Sequence, residues 1–236
     1  MRLDKYLCEL GIGSRSDVKK LISKGRVKIN GNIVKDAGAK LSEESDKVSV
    51  DDRELSYVRF EYYMLNKPKG YVSASKADLR NKDEKCVIDL IDTKIRKDLF
   101  PAGRLDKDTE GLLLITNDGA LSHRLLSPKH HVDKTYYVEL SDKLSEQNAE
   151  TIMKGVDIGD EKPTMPCTIE RLDDNSCNIV IQEGRYHQVK RMFETQGLTV
   201  TYLKRLKMGS LVLDERLKLG EYRRLSEEEL EELKNL

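Results

Sequence analysis

The 236-residue sequence predicts an α+β protein, with a small N-terminal module over residues 1–57 and a larger domain over 58–236 whose mixed, largely antiparallel sheet is flanked by helices. Three observations carry this expectation. Two short stretches of helical periodicity precede an Asn-Gly turn; beyond Phe60 strand-like segments outnumber the helices available for parallel crossovers; and composition changes near Ser56, where a linker is expected.

In LDKYLCELG, Leu3, Leu7 and Leu10 fall on one helical face, and Gly11 with Gly13 ends the helix. Ser14 with Asp17 three residues on is an N-capping pair, and Val18, Leu21 and Ile22 form the buried stripe of a second helix ending at Gly25. Asn30-Gly31, set between Val27, Ile29, Ile33 and Val34, is a strong hairpin signal. VSVDDREL supplies a further short strand before the linker.

The larger domain begins with strand patterns in YYMLN and GYVSA, followed by a charged loop to Lys85, an apolar strip from Val87 to Ile91 and a basic turn. LLLITND, KTYYVEL, CTIERL and CNIVIQE read as further strands. Helices fit Ser145 to Lys154, His187 to Gln196 and the Ser-capped tail SEEELEELKN.

Composition narrows the function classes. Apolar residues make up 38% and charged residues 36%, and no apolar run reaches the ~18 residues of a membrane span, so a cytoplasmic protein without membrane contacts is expected. Cys8, Cys86, Cys167 and Cys177 lack zinc-knuckle spacing and read as reduced. The four histidines form no ligand motif and there is no phosphate-binding glycine loop, so neither metal nor cofactor is expected. Net charge is zero but segregated. Residues 1–35 hold nine basic against three acidic side chains, a net of +6, whereas residues 221–236 hold six acidic against three basic, a net of −3. An N-terminal end that meets phosphates follows from this.

Three stretches can carry chemistry. AGRLDKDTEGLLLITNDG places Arg104 and Asp106 in a glycine-flanked loop ahead of an apolar strand, where Asp106 either pairs with Arg104, caps the turn or acts as a catalytic carboxylate. EGRYHQVKRMF sets Arg185, His187, Lys190 and Arg191 around a glycine turn and the start of a helix, as a solvated basic face or as partners of an anion. In KTYYVEL, Tyr136 and Tyr137 alternate across a strand, so one can pack in a core while the other faces a cleft.

GRLDKDTEGLLLITNDG resembles the catalytic-aspartate motif of the pseudouridine synthases that modify ribosomal RNA, and MLNKPKGYV, KTYYVEL and EGRYHQVKRMF resemble the family's other blocks in the same order. Residues 1–31 are similar to the RNA-binding domain shared with ribosomal protein S4, so the resemblance spans essentially the whole chain. LSHRLLSPKHHVDKTYYV and EGRYHQVKRMF are most like the small-subunit branch, which implies a uridine of 16S ribosomal RNA, free or in an assembling subunit, as the target of a monomeric enzyme. A large-subunit synthase and a non-catalytic assembly factor are the alternatives.

The resemblance further implies that Asp106 attacks the anomeric carbon or removes the 2′ hydrogen, that Tyr136 stacks on the uracil, and that Lys190 pairs with Asp106 where many relatives use Arg. It implies that Arg104 helps hold the RNA open around an extruded nucleotide, that Arg185, His187 and Arg191 bind RNA, and that the KPKG block from Lys67 to Gly70 shapes the floor of the site. In the N-terminal module, Arg15, Lys19, Lys20, Lys24, Arg26 and Lys28 are the expected phosphate contacts.

Overall fold

A computed structural model describes residues 1–43, 45–55, 58–75, 78, 81, 83–92 and 98–236. The chain divides into two compact units, Met1–Glu61 with Asp92–Leu99, and Tyr62–Ile91 with Phe100–Leu236. Ser56, part of the charged loop before Lys85, and the basic turn at 93–97 lie outside the described residues.

In the first unit α1 (Leu3–Glu9) and α2 (Arg15–Ser23) precede a four-stranded antiparallel sheet of β1 (Val27–Ile29), β2 (Asn32–Ile33), β3 (Val48–Val50) and β4 (Arg53–Leu55), in the order β2-β1-β3-β4. Ser14 and Asp17 form the reciprocal capping box at the start of α2. Asn30 and Gly31 both have positive φ, 51° and 82°, the geometry a tight two-residue hairpin needs between right-twisted strands. Asp51 and Asp52 make the same kind of turn between β3 and β4, and their carboxylates pair with Arg26 and Lys28. Leu3, Leu7, Val18, Ile22, Val27 and Val48 are fully buried beneath the helices.

The second unit is built on a nine-stranded sheet. Its strands are β5 (Tyr62–Lys67), β6 (Phe100–Ala102), β7 (Glu110–Thr116), β8 (Lys134–Leu140), β9 (Thr168–Arg171), β10 (Ser176–Ile181), β11 (Val200–Met208), β12 (Leu211–Val212) and β13 (Tyr222–Arg224). Seven run in the order β13-β5-β7-β11-β8-β10-β9, with β6 added to β7 and β12 to β11. Helices α3 (Gly119–Leu126), α4 (Glu146–Met153), α5 (Gln188–Glu194) and α6 (Glu227–Lys234) complete the unit. Every strand pair is antiparallel except β7 with β11, so the mixed, largely antiparallel α+β architecture holds.

The parallel seam depends on one glycine. Gly111 has φ +100° and lies opposite Arg205, whose backbone a Cβ at Gly111 would overlap. Both β5 and β7 are buried along their whole length, which is why YYMLN and GLLLIT read as nearly continuous apolar runs. Leu112, Leu113, Leu114 and Ile115 are fully buried, each contributing about 1.5–3 kcal/mol relative to an exposed side chain. Strand β8 alternates buried and half-exposed positions, because only one of its faces is covered.

Two expectations are corrected, and stretches without an assigned element gain one. GYVSA forms no strand; Val72 makes a single bridge to Cys86. The strip after Cys86 is a 3-10 turn over Val87–Leu90, where Asp89 accepts from the Cys86 N–H and ends extended backbone. The third helix of the large domain begins at Gln188, because His187 adopts left-handed φ of 49°, and ends at Glu194. The long strand β11 was not anticipated, since Lys204, Arg205 and Lys207 break its apolar alternation.

Candidate active site

The loop before β7 is fixed from several directions. Lys67, at the end of β5 and fully buried, points its ammonium into the turn of this loop. Its Nζ donates to the carbonyls of Pro68 (3.1 Å), Asp106 (3.0 Å) and Thr109 (2.8 Å), with Lys107 O at 3.4 Å. Burial pushes Lys67 down to about 8, against the opposing charges of Asp108, Asp106 and Glu110. Ser73 Oγ donates to Leu105 O at 2.8 Å and accepts from the Leu105 N–H at 3.0 Å. The Gly70 N–H donates to Lys107 O at 2.7 Å. These bonds make the KPKG segment the floor under residues 105–109, and they hold the backbone of Asp106 still.

The Asp106 carboxylate rises from this clamped turn and faces α5. Its Oδ2 is 3.4 Å from Lys190 Nζ and its Oδ1 is 3.6 Å from His187 Nε2. Lys190 also reaches Asp108 Oδ1 at 2.6 Å, so one ammonium serves two carboxylates. For Lys190, burial lowers the pKa, but Asp108 and Asp106 outweigh it and the net displacement is upward. For Asp108, burial raises the pKa and the Lys190 hydrogen bond and charge overcome it, leaving the carboxyl below its ordinary value. Asp108 was not singled out from the sequence; two residues along the same loop, it competes for the cation that the motif alone would give to Asp106.

A cleft opens in front of Asp106. Leu105, Tyr136, Ile181, Val189 and Leu203 form its apolar wall, and Arg104, Asp106, Arg185 and His187 its polar rim. Asp106 is the one carboxylate among the residues lining it. Tyr136 is buried in β8 between Ile179 and Arg205, with its ring on the cleft side; Tyr137, on the other face, donates to Glu139 at 3.0 Å. A cleft that combines an apolar wall with a carboxylate and basic side chains suits a planar heterocycle attached to a sugar.

The other basic residues divide in two. Arg104 is exposed and, among the described residues, makes no ion pair, so it is available to a ligand. Arg185 instead binds Glu183 at 2.6 Å and the carbonyls of Lys162 and Pro163, while Arg191 binds Asp160 at 2.6 Å and the carbonyl of Tyr186 at 3.0 Å. Both guanidinium groups therefore tie the 158–163 loop to α5 and its approach. In the first unit, Arg15, Lys19, Lys20 and Lys24 are exposed on α2 and at its end, whereas Arg26 and Lys28 are paired with Asp51 and Asp52. No group of His, Cys, Asp and Glu able to hold a metal occurs among the described residues, and no helix is long and apolar enough to cross a membrane.

Comparison with known proteins agrees with this layout. Residues 61–195 match the family described as RNA pseudouridylate synthase, and residues 1–48 match the S4 domain. The chain is 46% identical over 235 residues to the uncharacterized RNA pseudouridine synthase YtzG of Bacillus subtilis, covering 98% of this chain and 97% of that protein. It is 44% identical to ribosomal small subunit pseudouridine synthase A of Haemophilus influenzae, covering 99% of each, and 42% identical to that of Escherichia coli, covering 98% of each. A solved structure titled "Crystal structure of pseudouridylate synthase" superposes with a TM-score of 0.70 at 43% identity, covering 99% of both chains. The family match over residues 61–195, with relatives 42–46% identical over nearly their full length, places the chain in the RNA pseudouridylate synthase family of isomerases.

Proposed function

We propose that the protein isomerises a uridine of 16S ribosomal RNA to pseudouridine, with Asp106 acting on the ribose of an extruded nucleotide. The observation that carries this is the position of Asp106, the one carboxylate among the residues lining a cleft walled by Tyr136, 3.4 Å from the Lys190 ammonium and 3.6 Å from His187 Nε2. The bond from C1′ to N1 of uracil breaks, the base turns, and C1′ joins C5. The C5 proton is lost to solvent and N1 regains one. No oxidant or second substrate enters, and the returning nucleophile is the base itself, so one acid suffices where glycoside hydrolysis uses two and a water.

Tyr136 supports the uracil face, and the apolar wall excludes the water that would otherwise trap the sugar. Arg104 fills or flanks the gap left in the RNA, offsetting a cost of a few kcal/mol for extrusion. The small-subunit target is favoured by the names of the relatives that match over nearly their full length. Arg15, Lys19, Lys20 and Lys24 supply phosphate contacts. The test is tritium release from C5-labelled 16S and 23S ribosomal RNA, each free and as assembled subunits. Release from the small-subunit RNA alone is expected; release from 23S alone moves the target, and release from neither refutes the enzyme reading.

The Lys190 bridge gives a pH prediction. Asp108 is held below 3.8 and Lys190 above 10.5, so the bridge is intact between these values, is lost as pH falls through the folded value of Asp108, and is lost again as pH rises through that of Lys190. Lys190→Met leaves Asp106 and Asp108 as neighbouring like charges without a cation. Without the ammonium the Asp108 carboxyl should rise back toward its ordinary value in an NMR titration, while Lys190→Arg leaves it nearly in place. An Asp108 carboxyl that stays low in Lys190→Met would show that this ammonium is not what holds it down.

A further inference from the structure

Beside the cleft stands an aromatic ring that the reaction as described does not use. Tyr186 is 73% exposed, yet its ring is not loose: it lies flat on His187, with centroids 3.8 Å apart and planes 18° from parallel. The backbone beneath it is held by Arg191, which donates to the Tyr186 carbonyl at 3.0 Å. His187 itself sits at φ 49°, a left-handed conformation that is uncommon for non-glycine residues and clusters at functional sites. That conformation turns one imidazole in two directions, with its face under Tyr186 and its Nε2 3.6 Å from Asp106. The result is a two-ring stack whose inner member lies 3.6 Å from the Asp106 carboxylate and whose outer face is open.

We propose that Tyr186 and His187 form a stacking platform for the nucleobase immediately flanking the target uridine, so that the RNA is gripped on both sides of the extruded nucleotide. This rests on the reading of Asp106 as the acid that acts on that uridine. A lone surface tyrosine needs no explanation. A flat pair of rings, ordered at its backbone and contiguous with the cleft residues Arg185 and His187, is the kind of surface on which single-stranded bases stack whatever their identity. Exposed Arg104 on the same rim supplies a cation for an adjoining phosphate. The platform therefore positions rather than reacts, and it helps keep the strand open once the uridine has left the stack.

The experiment places 2-aminopurine, whose fluorescence falls on stacking, at the nucleotide 5′ or 3′ of the target in a small-subunit RNA fragment. Asp106→Asn protein, which holds RNA without turnover, should quench one of the two positions, and the further change Tyr186→Ala should restore the signal. In the otherwise native enzyme, Tyr186→Ala should raise KM roughly tenfold, the order expected of one base–aromatic stack, with kcat within about twofold and an unchanged thermal midpoint. Tyr186→Phe should behave as wild type. The proposal is overturned if neither position is quenched, if quenching survives Tyr186→Ala, or if Tyr186→Phe loses as much as Tyr186→Ala. Wild-type protein that quenches but releases no tritium would leave the platform standing and sink the catalytic reading instead.

Discussion

Asp106→Asn should abolish tritium release from C5-labelled uridine in ribosomal RNA while leaving RNA affinity within a few fold. The amide has the shape of the carboxylate but neither its charge nor its basicity, so it serves neither as nucleophile nor as base for the 2′ hydrogen. A positioned acid–base group alone is worth about 10²–10⁴ in rate, and a nucleophile that forms the intermediate is worth more, so the loss should reach about 10⁴-fold. No second carboxylate among the residues lining the cleft can substitute. Binding should persist because removing a negative charge does not repel phosphates, and because the exposed cations of α2 lie in the other unit. Asp108→Asn is the control: it frees Lys190 to approach Asp106 more closely, and turnover should change by less than about tenfold.

Lys67→Met should have the second-largest effect, on stability and turnover together. Methionine matches the length of lysine and removes the cost of burying an ammonium, a cost visible in the depression of its pKa to about 8. It also strips the donor from the carbonyls of Pro68, Asp106 and Thr109. Each carbonyl left unpaired costs about 1–3 kcal/mol, so a net loss of about 3 kcal/mol follows even after the charge is relieved. In a chain of this size that lowers the thermal midpoint by roughly 6–12 °C. Because the freed carbonyls belong to the turn that carries Asp106, turnover at a temperature where the variant is still folded should fall at least tenfold, consistent with small misplacements at a reacting group. A variant with an unchanged midpoint would mean that water replaces the ammonium at no cost.

Both predictions concern a turn whose chemistry and KPKG floor the family resemblance implies, but whose individual supporting bonds no local pattern displays. The glycine-flanked loop before an apolar strand left Asp106 open as ion-pair partner, cap or acid, and the resemblance of GRLDKDTEGLLLITNDG to the family motif is what singled it out. Lys67 lies 39 positions earlier than Asp106, and nothing local distinguishes a lysine that ends in solvent from one that ends under four carbonyls. The same holds for Asp108, which the motif spells as an ordinary polar turn residue and which the fold sets 2.6 Å from Lys190. The N-terminal unit was more legible, since its capping box at Ser14 and its Asn30-Gly31 hairpin are decided by backbone geometry within a few residues. Strand β11 is not legible because three of its nine residues are cationic, and a buried charge in a central strand is tolerated when it finds a backbone partner; Arg205 donates through Nε to Leu112 O at 2.7 Å. Arg185 and Arg191 carry the same lesson in reverse, as basic residues beside the cleft whose guanidinium groups hold protein loops.

The most direct measurement maps pseudouridine across the ribosomal RNA of cells lacking the chromosomal copy and supplied with either the wild-type or the Asp106→Asn protein. One small-subunit uridine converted by the wild type and untouched by Asp106→Asn is the predicted result. Conversion at that position by the Asp106→Asn protein would contradict the account.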